Sequence, residues 1–394
     1  MIVKDYALKY SDYTIEQRRY FHRHPEPSLE EFETCKAIVK ELTDMGLEPK
    51  VVHTTGVMVD IGDVSKSGKT VLIRGDIDAL RIPEETGEEF TSENPGIIHA
   101  CGHDAHIAMT LAAAHVLKDI DDAGELNGRV RLIFEPAEEN AHGANGMIEA
   151  GVLDGVDIAY GTHVWGGVEA GMLGTIAGPI MASADFFTIT VKGVSVHGSQ
   201  PQDGVDPIAA AAQIITDLYT VFNREYPAKE TVVLSLCQIQ GGNADNAIPE
   251  VVKIGGTTRA FNNDIRNSFP ETITRVIKGV GAAHRVEAEL DYRWGSPVVI
   301  NDETCVKRLV KAAEKNFGPG RTYEFPPVMG GDDFGEYEKI IPGVYVFLGI
   351  KNDEIGAIYP QHSSHYKIDE SVLIDGVIAG VQYAVDYLNG DEEL

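Results

Sequence analysis

Runs and alternations of apolar positions divide the chain into short β-rich segments and longer helical ones. Residues 12–45 carry helical spacing, broken at Pro25-Glu26-Pro27 and resumed at Ser28 with acidic residues in the first turn. Val51–Ile61 and Thr70–Ile73 are β-rich and bounded by turn residues. A helical run from Ile107 to Leu117 follows, then β-rich Gly128–Phe134 and Ile158–Thr162. Phe186–Lys192, Thr231–Gln240, Val251–Phe261 and Val286–Trp294 read as strands, with helices at Asp206–Arg224 and Ile265–His284 between them. That β-α-β-β-α-β order predicts a ferredoxin-like α+β domain over 184–295, inserted into a first domain made of 1–183 and 296–394. The first domain resumes with a helix at Glu303–Phe317, a strand at Gly343–Leu348 and a closing helix at Glu370–Leu388.

Length supports this division, because 394 residues exceed one comfortable core. A net charge of −28 disfavours nucleic acid or an anionic membrane as partner. The N-terminus lacks a signal-peptide core, and no run of about 20 apolar residues predicts a membrane span. Four scattered cysteines make no disulfide framework, so the expected location is the cytoplasm.

Candidate chemistry gathers at the ends of predicted strands. Thr70–Ile73 runs into Arg74-Gly75-Asp76-Ile77-Asp78, at the edge where open α/β sheets bind ligands. His99-Ala100-Cys101-Gly102-His103-Asp104-Ala105-His106 packs sulfur, imidazole and carboxylate ahead of a helix, the donor types a transition metal needs. Gly102 permits the tight bend that lets its neighbours converge. Glu135-Pro136-Ala137-Glu138-Glu139 follows another strand. Adjacent glutamates cannot face one way in a regular element, so one is free to bind metal while the other points toward a water. His163 follows the Ile158–Thr162 strand, and His22 and His24 read as structural or outer groups.

With these blocks in order, the chain resembles the aminoacylase/carboxypeptidase superfamily of metal-dependent amidohydrolases. Within it, the branch holding hippurate hydrolase, indole-acetyl-amino-acid hydrolase and N-acetyl-diaminopimelate deacetylase is most similar. The resemblance implies a three-layer α/β/α, zinc-exopeptidase-like catalytic domain beside the inserted one. It implies Cys101, His103, Glu139, His163 and His362 as metal ligands, Glu138 as acid/base, and His197 as the group polarising the scissile carbonyl. Asp78 is implied as a carboxylate orienting a ligand histidine.

Two divalent ions per subunit are expected, manganese or zinc, with cobalt or nickel admissible. The expected substrates are N-acyl amino acids or dipeptides, whose carboxylate suits Arg259 and Asn246. A homodimer formed through the inserted domain is also implied. Three positions depart from the family pattern: Gln202, Asp332-Asp333, and Ser363-Ser364-His365, the last making His365 a rival to His362. Two other readings stand beside this one. Cys101 could be a thiolate nucleophile with His103 or His163 as base, or the chain could be an inactive, metal-stabilised binding protein.

Overall fold

Strand Thr70–Asp76 is buried at every position, as a strand covered on both faces must be. It lies between Arg129–Glu135 and Ile158–Glu169, parallel to both, and Gly343–Lys351 continues the parallel run beyond Ile158–Glu169. Antiparallel Gly56–Gly62 and Lys50–Val52 extend one side, and Leu173–Thr175 and Thr322–Glu324 the other, giving eight strands. The structure is a computed structural model and describes residues 1–390.

Successive strand residues point to opposite faces, and one pair of neighbours shows what covers each. The ring of Tyr160 lies against Gly380 in the helix Leu373–Leu388, where a Cβ would stand 2.8 Å from it. A Cβ on Gly161 would meet Phe334, beside the short helix Gly335–Glu338. Helical layers therefore cover both faces, completing an α/β/α sandwich. The helix His103–Asp122 packs with Leu373–Leu388 and Ser11–Arg23 in one continuous core.

The chain divides into two compact units. The first comprises Met1–Ile180, Val299–Pro327 and Asp332 to the end of the described chain; the second comprises Met181–Val298 with Val328–Gly331. In the second, four antiparallel strands run in the order Val232–Gly241, Val251–Ala260, Ala184–Lys192, Glu287–Ser296. Helices Pro207–Glu225 and Asn263–His284 bury Ile214, Leu218, Phe269 and Ile273 against Phe187, Ile189 and Ile254. This is the ferredoxin-like arrangement.

Three expectations need correction. The expected break at Pro25-Glu26-Pro27 is present, separating Ser11–Arg23 from the next helix, but that helix starts at Phe32 rather than Ser28, because Leu29 turns left-handed (φ 66°). Strand Ile158–Glu169 runs past its expected end at Thr162, so His163 lies within it, paired in register with Phe347. Finally, Glu370–Leu388 is long and apolar enough to cross a membrane, yet it is the buried core helix of the first unit.

Candidate metal centre

The parallel register sets Asp76 opposite Glu135 at the carboxyl ends of two central strands. Asp78 follows in the next loop, and His163 projects from the third strand. Helix His103–Asp122 starts immediately after Gly102, whose φ of 95° only glycine adopts cheaply. A Cβ there would stand 2.3 Å from Val164 Cγ2, so the close approach also requires glycine. This bend brings Cys101 and His103 to one point.

Cys101 Sγ lies 3.3 Å from His163 Nε2, and both belong to one buried cluster with His103. His163 Nδ1 sits 2.6 Å from the Val164 carbonyl, which can only accept, so the ring proton is on Nδ1 and Nε2 carries a lone pair. In the same way Asp78 Oδ1 faces His103 Nδ1 at 3.2 Å, turning the Nε2 lone pair of His103 inward. Glu138 and Glu139 reach His103, and Glu139 also meets Cys101 and His362, with His362 Nε2 3.5 Å from Glu139 Oε1.

Buried polar atoms are nearly always hydrogen-bonded. Here His103 Nε2 and Glu139 Oε1 are buried and have no hydrogen-bond partner. Sulfur, imidazole and carboxylate aimed at one point, with unsatisfied lone pairs, fit a divalent cation.

The turn that carries the two glutamates is strained. Ala137 (φ 57°) and Ala141 (φ 53°) flank Glu138–Asn140 in left-handed conformations, and His362 (φ 65°) shares that state. Each such residue costs roughly 1–2 kcal/mol and persists only where surrounding contacts hold it. Asp78 supplies two of those contacts, accepting the N–H groups of Glu138 (3.2 Å) and Glu139 (3.1 Å).

Behind the cluster lies a buried charge network centred on Arg74. Its guanidinium pairs with Asp76, with Glu135 (2.9 Å), with Asp333 (3.0 Å) and with Asp332 (3.3 Å). Tyr337 donates to Glu135 at 2.7 Å, and Tyr345 donates to Asp332. Burial, then Asp332 and Glu139, push the Glu138 carboxyl well above the usual carboxylate range. Burial, followed by Glu139, does the same to the Cys101 thiol. On the far side of the metal loop, His22 and Arg18 hold Asp104 at 2.7 and 2.9 Å, so His22 is a structural group, while His24 is half-buried and its Nδ1 meets the Tyr20 carbonyl.

Cys101, His103, Glu138, Glu139, His163 and His362 thus come together in the first unit, with Asp78 beside them. His365 does not join them; it lies 3.6 Å from Glu85 and against the Tyr359 ring. In the second unit, exposed His197 pairs with Ala247, and Gly198 donates to the Asn246 carbonyl at 2.7 Å, so Asn246 borders the His197 loop. Arg259 is half-buried and donates to the Met329 carbonyl. From sequence, His106 stands out only as part of the His99–His106 block, Arg74 only as the start of the strand-end Arg74–Asp78 block, and nothing there joins Arg74 to Asp332-Asp333. A charged residue amid the apolar run Val71-Leu72-Ile73 was the available signal for Arg74.

Residues 72–386 match the model of peptidase family M20/M25/M40. Thermostable carboxypeptidase 1 of Saccharolobus solfataricus is 36% identical over 98% of both chains. The N-acyl-L-amino acid amidohydrolase of Geobacillus stearothermophilus is 40% identical over 72% of this chain and 76% of its own. A dinuclear metal-binding peptidase of the M20 family from Bacillus subtilis superposes with a TM-score of 0.83 at 35% identity, covering 97% of this chain and 99% of that one. The chain therefore belongs to the M20/M25/M40 peptidase family, and its chemistry is that of a metal-dependent amidohydrolase.

Proposed function

We propose that this enzyme hydrolyses the amide bond of N-acyl amino acids, with dipeptides as the neighbouring substrate class. In this reading Cys101, His103, Glu139, His163 and His362 hold a pair of divalent ions, manganese or zinc, with cobalt or nickel admissible. The observation that carries it is the pair of buried lone-pair atoms without a hydrogen bond, His103 Nε2 and Glu139 Oε1, facing the Cys101–His163 cluster, with His362 Nε2 3.5 Å from Glu139 Oε1. When bound, a divalent metal lowers the pKa of a coordinated water from about 15.7 toward 7.

The chain's own residues then carry the protons. Glu138 takes the proton of the attacking water and passes it to the leaving amine, work typically worth 10²–10⁴-fold. Asp78 fixes the His103 ring by its 3.2 Å contact. His197 donates to the developing oxyanion, and Arg259 and Asn246 receive the substrate carboxylate.

The second unit is read as a dimerisation domain, so that His197 of each chain serves its partner's site. Its strand Val232–Gly241 lies at a sheet edge, which supports pairing between copies. A cytoplasmic location is consistent with Cys35, Cys101, Cys237 and Cys305 all being free thiols.

A panel of N-acetyl, N-benzoyl and N-indoleacetyl amino acids and dipeptides, assayed with each of the four metals, tests the reading. Hydrolysis should vanish with a chelator and return with metal. Turnover that survives phenanthroline but dies with iodoacetamide would make Cys101 the nucleophile instead, a role its raised thiol pKa already opposes. Binding of the panel without turnover would make this a binding protein.

A further inference from the structure

Glu31 is fully buried, and among the described residues no cation pairs with it. Its place just before helix Phe32–Asp44 suggests a cap, but its side chain makes no capping bond; Glu26 takes that role, accepting the N–H of Thr34 at 2.8 Å. The Glu31 carboxylate instead reaches across to the strand-end turn. Oε1 accepts two main-chain N–H groups, from Leu29 and from Ala137, each at 2.9 Å. Oε2 accepts the Thr55 hydroxyl at 2.8 Å. Leu29 and Ala137 are both left-handed, with φ of 66° and 57°. One carboxylate oxygen therefore ties down two residues that would each relax to another conformation if released.

The arrangement continues through the turn. The N–H groups of Ala137, Glu138 and Glu139 all end on buried carboxylates, the first on Glu31 and the next two on Asp78. Asp78 is itself held by the Ser28 hydroxyl at 2.6 Å, and the Ala79 N–H donates to the Glu26 carbonyl at 2.8 Å. The segment 26–31 thus runs beneath the glutamate turn and secures it at both anchors. A buried carboxylate without a counter-ion is expensive, and this one is spent on the residue that precedes Glu138.

We propose that Glu31 is a positioning residue for amide hydrolysis: by accepting the Ala137 N–H it holds that residue left-handed and thereby aims Glu138. The proposal rests on Glu138 being the acid/base. Glu31→Ala removes the acceptor, and Ala137 relaxes; an ångström of misplacement lowers kcat on the order of 10²-fold, with KM changed less than about threefold. Adding Ala137→Gly frees the backbone to adopt positive φ without a Cβ penalty, and should return roughly tenfold of the lost kcat. Glu31→Gln should retain most activity, because its amide oxygen can accept both N–H groups while its nitrogen donates to Thr55.

Hydrogen exchange across residues 136–142 in metal-free protein gives a readout apart from turnover. It should quicken in Glu31→Ala and stay slow in Glu31→Gln. If Glu31→Ala does not fold, Glu31→Asp, which withdraws the carboxylate by one methylene, takes its place in the same comparison. A kcat within about threefold of the parent, or a loss that Ala137→Gly leaves unmoved, overturns the proposal and leaves Glu31 as a stabiliser of the fold. Glu138→Gln is measured beside them. Should it retain turnover, the acid/base assignment falls, and this proposal falls with it; should it be dead while the rescue fails, only the Glu31 proposal falls.

Discussion

The main-chain N–H of Val164 donates to Nε2 of His106 at 2.9 Å. An N–H aimed at that nitrogen requires a lone pair there, so the ring proton sits on Nδ1, facing Asp76. His106 thereby braces the strand next to His163 from behind. Loss of such an outer contact typically costs 10–100-fold in metal affinity. His106→Ala should bind cobalt or zinc about tenfold more weakly in competition with a chelating dye. His106→Gln, which keeps one donor and one acceptor, should lose less. Equal affinity in the parent and the alanine variant would show that the bracing has no effect on the centre.

Glu138→Gln should abolish turnover while keeping metal, because it removes the proton carrier and spares the proposed ligands. Glu139→Gln should instead lose metal. Elemental analysis beside kcat separates the two, and swapped phenotypes would mean that the neighbouring roles are reversed.

Stability should fall between mildly acidic and mildly basic pH because of Glu338. Burial lifts its carboxyl from 4.5 to about 8, and Oε1 has no hydrogen-bond partner. Across that window the folded chain holds a proton that the unfolded chain has released, so stability declines as pH rises toward 8. Glu338→Gln keeps an acceptor for the Ile300 N–H and removes this slope. Relative to the parent, it should gain at least about 1.4 kcal/mol between pH 5 and pH 8, the equivalent of one pKa unit. Urea unfolding at both pH values measures it; a difference that does not change with pH refutes the account.

If His197 serves the partner's site, two dead variants should repair each other. Mixing His197→Ala with Glu138→Gln under subunit exchange should regenerate one competent site per mixed dimer, and hydrolysis should reappear. Mixed dimers that stay inactive would place His197 in the service of its own chain.

The chemistry was more legible in the sequence than the geometry that aims it. Cys101, His103, Glu138 and Glu139 announce themselves because sulfur, imidazole and paired carboxylates follow apolar strands over short spans. The cluster they form depends on strand register and on Gly102, which periodicity does not reveal. Glu31 reads locally as a surface acid at a helix start, and only its bond to Ala137, 106 positions away, gives it a purpose. The three-residue strands Leu173–Thr175 and Thr322–Glu324 escaped notice because they are too short to show an alternation.

The central sheet also dictates an order of events during synthesis. Strand Ile158–Glu169 waits for its neighbour Gly343–Lys351 until the whole intervening ferredoxin-like unit has been made. At about 5–20 residues per second, that leaves an apolar edge unpaired for roughly 10–30 s on the ribosome. His362 is translated later still, so the nascent chain cannot assemble the whole cluster early. The inserted unit, contiguous apart from Val328–Gly331, can fold during that interval. A chain arrested before residue 343 would therefore display a finished small domain beside an open, sticky half-sheet, the state in which a holding chaperone would have most to offer.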